Sequence, residues 1–232
     1  MGPLRFLVVS DIHSNLPALE RVLEDTGGFD GAICAGDVVG YGPDPGKCVE
    51  GLSGRNIRCV TGNHDYAAVT GDPSNLNEYA AEAIHINRRL LIDRHVEWLR
   101  SLPSSLSLEV EGVRISVFHG SPYQPLVEYI YPEEARQMAG GFFDDTGSDL
   151  LILGHTHVPY IHRFHERVLL NPGSVGQPRD GDPRASYMLV DIADGKINVS
   201  HMRVSYDIEE VASRMRRLGL PEMLAIRLFS GW

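Results

Sequence analysis

Five short polar segments bring together residue types that bind cations and move protons. They are Asp11-Ile12-His13, Gly36-Asp37-Val38-Val39-Gly40, Gly62-Asn63-His64-Asp65, His119-Gly120 and Gly154-His155-Thr156-His157. Asp, His and Asn are hard or borderline ligands for divalent transition metals. In an extended segment residues i and i+2 point the same way, so Asp11 and His13 can face one site, as can His155 and His157. The neighbouring glycines let the chain turn tightly. Asp37 has two oxygens and can bridge two cations. Two cations about 4 Å apart make a clamp for in-line displacement at phosphorus. They would also make the site locally positive.

Each segment taken alone has a plainer explanation. An isolated Asp-x-His is commonly a surface feature or a local hydrogen bond. Asn63 can be a turn residue, Asp65 a helix cap, and His119 a hydrogen-bonded histidine at a strand end. His85, His95, His162, His165 and His201 read as solvated or hydrogen-bonded rings. The set of five, each directly after an apolar run, points to one metal site, because ligands of an α/β sheet gather at the carboxyl ends of its strands.

The elements that must position these residues alternate at first. Arg5 to Val9 is an apolar run expected as a buried strand. Asn15 can cap a helix carrying Leu16, Leu19, Val22 and Leu23 on one stripe, with Pro17 in its first turn. Gly31 to Ala35 reads as a second strand, Asp44 to Leu52 as a short helix and Ile57 to Val60 as a third strand. That order predicts βαβ units and a parallel sheet. A helical stretch is expected from about Asn75 to Leu102, ended by Pro103. Leu106 to Val110 and Val113 to Phe118 flank Glu111-Gly112 as a hairpin. Five further strands are expected at 150–153, 160–164, 168–170, 186–191 and 197–204, then a helix over 209–218. A single domain spanning 1–232 is the economical reading.

The chain has 232 residues, 43% of them hydrophobic, enough for one well-buried core. Its 21 basic and 31 acidic residues give a net charge of −10, which disfavours a nucleic-acid-binding surface. The three cysteines, Cys34, Cys48 and Cys59, form neither a disulfide framework nor a CxxC site and suit free thiols in a reducing compartment. With no apolar stretch of about 18 residues, the protein is expected to be soluble, free of the membrane and cytoplasmic.

The series DxH, GDxxG, GNHD, HG and GHTH resembles the calcineurin-like metallophosphoesterases, in particular small bacterial and archaeal phosphodiesterase-like members. Asn171-Pro172-Gly173-Ser174-Val175-Gly176-Gln177-Pro178-Arg179-Asp180-Gly181 is similar to their glycine-rich loop, and His119-Gly120-Ser121-Pro122 and Gly40-Tyr41-Gly42-Pro43 also fit. The resemblance implies an α/β fold, a four-layer αββα sandwich of two mixed sheets. It implies two divalent cations drawn from Mn, Fe, Zn, Ni and Co, one held by Asp11, His13, Asp37 and His157, the other by Asp37, Asn63, His119 and His155. A metal-bridging hydroxide would attack small phosphodiesters or phosphomonoesters. His64 would contact the phosphoryl group and protonate the leaving oxygen.

Departures from the protein-phosphatase branch are informative. Gly40-Tyr41-Gly42 stands where that branch carries an Asp and an Arg, so a phosphate clamp and an orienting partner for His64 are missing. Tyr41, Tyr66 and Tyr123 are candidates to stack on a base or aryl group, or to pack internally. Arg88, Arg89, Arg179 and Arg184 are candidates for a second phosphate, or for solvated and loop-pinning roles. Two readings compete with a simple phosphoesterase: a hydrolase of dinucleoside polyphosphates, and a metal-binding scaffold without catalysis. The scaffold reading is weakened because all seven ligand positions are filled. Ile84 to Leu91 and Leu220 to Trp232 are candidates to cover the site or meet another subunit.

Overall fold

Phe6 and Val8 face one side of the first strand, Leu7 and Val9 the other, and all four are buried. Burial on both faces marks a central strand in a layered protein. The computed structural model describes residues 2–55 and 57–232. In it, β1 (Leu4–Val9), β2 (Gly31–Cys34), β3 (Arg58–Cys59), β9 (Ala185–Ala193) and β10 (Lys196–Val204) form one mixed sheet in the order β10-β9-β1-β2-β3. The β1-β2 and β2-β3 pairs are parallel, and β9 runs antiparallel to β1 and β10. The second mixed sheet has the order β4-β5-β6-β8-β7, from β4 (Ser105–Val110), β5 (Val113–Phe118), β6 (Leu150–Ile152), β7 (Tyr160–Phe164) and β8 (Arg167–Asn171). Its β5-β6 and β6-β8 pairs are parallel.

Val8, Ile33, Val190 and Ile192 of the first sheet meet Ile115, Val117, Ile152 and Leu170 of the second in one apolar layer. Leu7, Val9 and Cys34 face outward onto α1 (Leu16–Asp25) and α2 (Pro45–Ser53) through Leu19, Val22, Cys48 and Leu52. On the far side, α6 (Pro132–Thr146) lays Ala135, Ala139, Phe142 and Phe143 on Leu151 and Leu169. The result is the four-layer αββα sandwich expected from the resemblance. A smaller apolar cluster joins α4 (Glu78–Leu90), α7 (Ile208–Arg217) and α8 (Glu222–Leu228) around Tyr41.

Local signals hold well near the N-terminus. The Asn15 side chain accepts from the Ala18 amide and caps α1, and Pro17 sits in its first turn. Glu111 and Gly112 both take positive φ in the β4-β5 hairpin. Three expectations are corrected. The 75–102 stretch is two helices, α4 and α5 (Asp93–Ser101), because Leu91 turns to an extended backbone at φ −83°, ψ 136°. The third strand is shorter than expected, and α6 and α8 lie where no helix was expected. α3 (Asn63–Thr70) begins at the third polar segment itself. No helix among the described residues is long and apolar enough to cross a membrane.

Candidate metal centre

All five polar segments meet at one end of the sandwich, where strands of both sheets exit. Asp11 and His13 follow β1, Asp37 follows β2, and Asn63 and His64 open α3 after β3. His119 follows β5, and His155 and His157 follow β6. The loops are laced together by backbone bonds: the amides of His13 and Ser14 donate to the carbonyls of Asp37 and Val38, each at 3.0 Å. The His155 amide donates to Asp11 Oδ2 at 3.1 Å, tying the second sheet's loop to the first's.

Convergence is achieved differently from the extended alternation expected. Asp11, His13, Asp37, His155 and His157 all have positive φ, between 48° and 68°. Each such non-glycine residue costs on the order of 1–3 kcal/mol and persists only where its surroundings enforce it. Tight left-handed turns, not pleated strands, turn these side chains inward.

Three groups of donor atoms result, each with its atoms within 4.8 Å of one another. Asp11, His13 and His157 form a first cluster, Asp37, His119 and His155 a second, and His13, Asp37 and His64 a third that overlaps both. Asp37 Oδ2 stands between the first two, 3.6 Å from His13 Nε2 and 3.4 Å from His119 Nε2. Asn63 Oδ1 lies 3.0 Å from His119 Nε2. His64 is buried beside the first cluster with its ring 4.8 Å from that of His13, and its amide donates to Asp37 Oδ1.

The donor chemistry fits cations. His13 Nδ1 contacts the Val39 carbonyl at 3.2 Å, His119 Nδ1 that of Ala35 at 2.8 Å, and His157 Nδ1 that of Gln177 at 2.5 Å. A carbonyl only accepts, so each Nδ1 carries the hydrogen; the neutral His13 and His157 rings then present Nε2 lone pairs inward, and His119 does so where a cation takes the place of its second proton. His13 Nε2 and His157 Nε2 then face each other at 3.0 Å. Opposed lone pairs at that distance repel, and a shared cation removes the repulsion. Asp11 Oδ1 and His155 Nε2 are buried without hydrogen-bond partners.

Titration follows the same logic. Burial pushes His155 down to about 3 and His64 to about 4 and also lowers His13 and His157, which leaves their rings neutral and able to ligate. Burial acts on His119 too, but the Asp37 carboxylate outweighs it and raises His119 to about 9. Asp37 thus draws positive charge to this point, a demand a divalent cation meets. Burial, helped by Asp37, raises Asp65 to about 7. The Asp65 carboxyl accepts from the Val39 and Gly62 amides, each at 3.0 Å, and so fixes the second and third segments to each other.

Other candidates separate cleanly. Tyr41 is buried, with its ring 4.5 Å from those of His13 and His64. Tyr123 lies away from the centre, its hydroxyl donating to Asp145. Tyr66 is half exposed and lines a cavity of about 170 Å³ that opens beside Asn63 and His155. Arg88 donates to the Ala68 carbonyl, and Arg184 is forked onto Asp182. Arg179 approaches the centre, its guanidinium bonded to Tyr41 Oη at 3.0 Å.

Two residues near the centre escaped sequence reading. Tyr129 stacks on His155 with ring centroids 3.7 Å apart and forms one wall of the cavity. Asn87, fully buried in α4, accepts from Ser14 Oγ and the Gly40 amide at 2.8 Å and donates to the Gly42 carbonyl at 3.0 Å. Neither carries a local pattern, since each acts on segments distant in sequence.

Residues 4–195 match the calcineurin-like phosphoesterase superfamily domain. An uncharacterised protein of Methanocaldococcus jannaschii is 37% identical over 97% of both chains. The phosphodiesterase YfcE of Escherichia coli is 28% identical over 81% of this chain and 88% of its own. A crystal structure of a metallophosphoesterase from Sphaerobacter thermophilus superposes with a TM-score of 0.84 at 39% identity, covering 99% of this chain and all of that one. A hypothetical protein from Pyrococcus horikoshii shares the fold at a TM-score of 0.89 and 20% identity, with 99% of each chain covered.

Proposed function

The chain belongs to the calcineurin-like phosphoesterase superfamily, and from that premise we propose that it hydrolyses small phosphodiesters or phosphomonoesters at a centre of two divalent cations. The observation that carries this reading is the single carboxylate oxygen of Asp37 set between His13 and His119, which joins two donor clusters. In the proposal Asp11, His13, Asp37 and His157 hold one ion, and Asp37, Asn63, His119 and His155 the other. Divalent ions bound there polarise the phosphoryl group and supply an activated water as nucleophile. Manganese, iron, zinc, nickel and cobalt all suit this donor set.

The chain's own residues do the rest. Carbonyls of Ala35, Val39 and Gln177 fix the tautomers, so ligand rings need no reorganisation during turnover. His64 faces the first cluster as a neutral ring, held so by burial. An arriving phosphoryl anion favours its protonated form, which then gives a proton to the leaving oxygen. The cavity walled by Tyr66 and Tyr129 receives the ester group. Its aromatic faces favour a planar group, and a nucleotide ester is the second reading on that ground. Three buried, unpaired thiols support the cytoplasm as its working compartment.

The test is hydrolysis of bis(4-nitrophenyl) phosphate and 4-nitrophenyl phosphate by the protein loaded with Mn²⁺, read as 4-nitrophenolate release. Activity on at least one ester, lost on chelation and reduced about 10³-fold or more in Asp37→Asn, is the expected result. Full activity in that variant refutes the centre. A strong diester preference would show room for a second esterified group.

A further inference from the structure

On the other side of the centre lies a groove of about 410 Å³, lined chiefly by Tyr131, Thr156, Val158, Arg179, Arg227 and Trp232. Thr156 sits between the candidate ligands His155 and His157, so the groove opens directly beside the first cluster. Two guanidinium groups face it, and neither is ion-paired with a carboxylate side chain among the described residues. Arg179 spends one nitrogen, on Tyr41 Oη at 3.0 Å and Gln177 Oε1 at 3.1 Å, and lies over the Tyr41 ring at 5.7 Å. Arg227 lies over the Tyr79 ring at 6.0 Å. Arg184, in the same loop as Arg179, is instead neutralised by Asp182 at 2.6 Å. Among the described residues no carboxylate side chain lines the groove, although acidic residues outnumber basic ones by 31 to 21.

The groove is held together by two segments far apart in sequence. The Gly181 amide donates to the Gly231 carbonyl at 3.0 Å, and a side chain on Gly231 would strike the Asp182 backbone. The end of α8, with Arg227 and Trp232, is thereby docked on the loop that carries Arg179. Trp232 remains 72% exposed, an aromatic face turned to solvent at the rim.

The Tyr66–Tyr129 cavity has the opposite character. Among the described residues no Lys or Arg lines it, and Asp72 does. A substrate with a second negative charge is therefore repelled on that side and attracted on the other. Tyr129 and Tyr131, with ring centroids 6.3 Å apart, form the ridge between the two spaces.

We propose that the Arg179–Arg227 groove is a second phosphate subsite, so that preferred substrates carry two phosphoryl groups. One is hydrolysed at the metal centre. The other is held uncleaved by the two guanidinium forks, with its organic part against Tyr131 and Trp232. This rests on the phosphoesterase reading above and narrows it to a substrate class.

Three chromogenic substrates test it with the Mn²⁺-loaded protein: the 4-nitrophenyl ester of thymidine 5′-monophosphate, its 3′-phosphorylated form, and the 4-nitrophenyl ester of thymidine 5′-diphosphate. In each, water adds to phosphorus and 4-nitrophenolate leaves. At least one bisphosphate should exceed the monophosphate in kcat/KM by about tenfold or more, the worth of one charge-assisted hydrogen bond. Arg227→Gln should bring that ratio below about threefold, and Arg227→Lys should keep most of it. A wild-type ratio near one for both bisphosphates, or a high ratio surviving Arg227→Gln, overturns the subsite. Should none of the esters react, the phosphoesterase reading fails on its own. Calorimetric binding of thymidine 3′,5′-bisphosphate to the metal-free protein then decides the subsite: about tenfold weaker binding in Arg227→Gln supports it, and equal binding overturns it.

Discussion

Gly62→Ala places one methyl group where the centre has no room. Gly62 has φ −101°, a conformation alanine adopts freely, so backbone strain is not at issue. The added Cβ would overlap Asp37 Oδ1 and the Asp37 amide and come within 2.7 Å of Asp37 Cγ. None of these is the loose end of a flexible side chain. Asp37 is buried and accepts from the His64 amide at 2.9 Å. Relief requires shifting either Asp37 or the start of α3, which carries Asn63 and His64. Overpacking of this kind costs about 1–3 kcal/mol, which lowers Tm by about 2–12 °C at this chain length. Misplacing reacting groups by about 1 Å costs about 10²-fold in rate. The assay pairs kcat on bis(4-nitrophenyl) phosphate with calorimetric Mn²⁺ titration and thermal unfolding. Gly112→Ala is the control: its Cβ meets nothing within 4 Å, and its φ of +78° imposes strain in the β4-β5 turn alone. The control should lose stability and keep its rate. If Gly62→Ala keeps kcat and Mn²⁺ affinity within about threefold of wild type, Asp37 does not need its observed position and the reasoning fails.

Asn87→Ala strands Ser14 Oγ, the Gly40 amide and the Gly42 carbonyl in the interior. A loss of about 3 kcal/mol or more, seen as a Tm fall of about 6 °C or more, is expected by calorimetry; an unchanged Tm contradicts it. Tyr66→Ala removes one aromatic wall of the ester cavity. KM for the aryl diester should rise about two- to tenfold with kcat little changed, and a fall in kcat at constant KM would place Tyr66 elsewhere in the reaction.

How much was legible beforehand depended on how far apart the causes lie in the chain. β1, β2 and the Asn15 cap come from neighbouring residues, and sequence reading found them. The candidate ligands were legible because their chemistry is rare in combination and each follows a strand. The manner of their convergence was not, since left-handed backbone at Asp11 or His157 is imposed by bonds to distant loops. α6 was hidden by Gly140-Gly141, a poor pair for a helix. Packing explains it: a side chain at Gly140 would meet the Phe164 ring at 3.2 Å. The break between α4 and α5 has no Pro or Gly to announce it. Tyr129 sits in an irregular loop, and only its contact with His155 reveals its place.

The division of the candidate ligands between the two sheets has a mechanical consequence. Asp11, His13, Asp37 and Asn63 follow strands of one sheet, and His119, His155 and His157 strands of the other. Ions held by all seven, as proposed, would act as a rivet through one rim of the sandwich, while the opposite rim is held by apolar contact and by the bond from the Arg163 guanidinium to the Ile197 carbonyl. Ion release and prying apart of the sheets at that rim are then one process, and pulling the two sheets apart should meet its greatest resistance where turnover takes place.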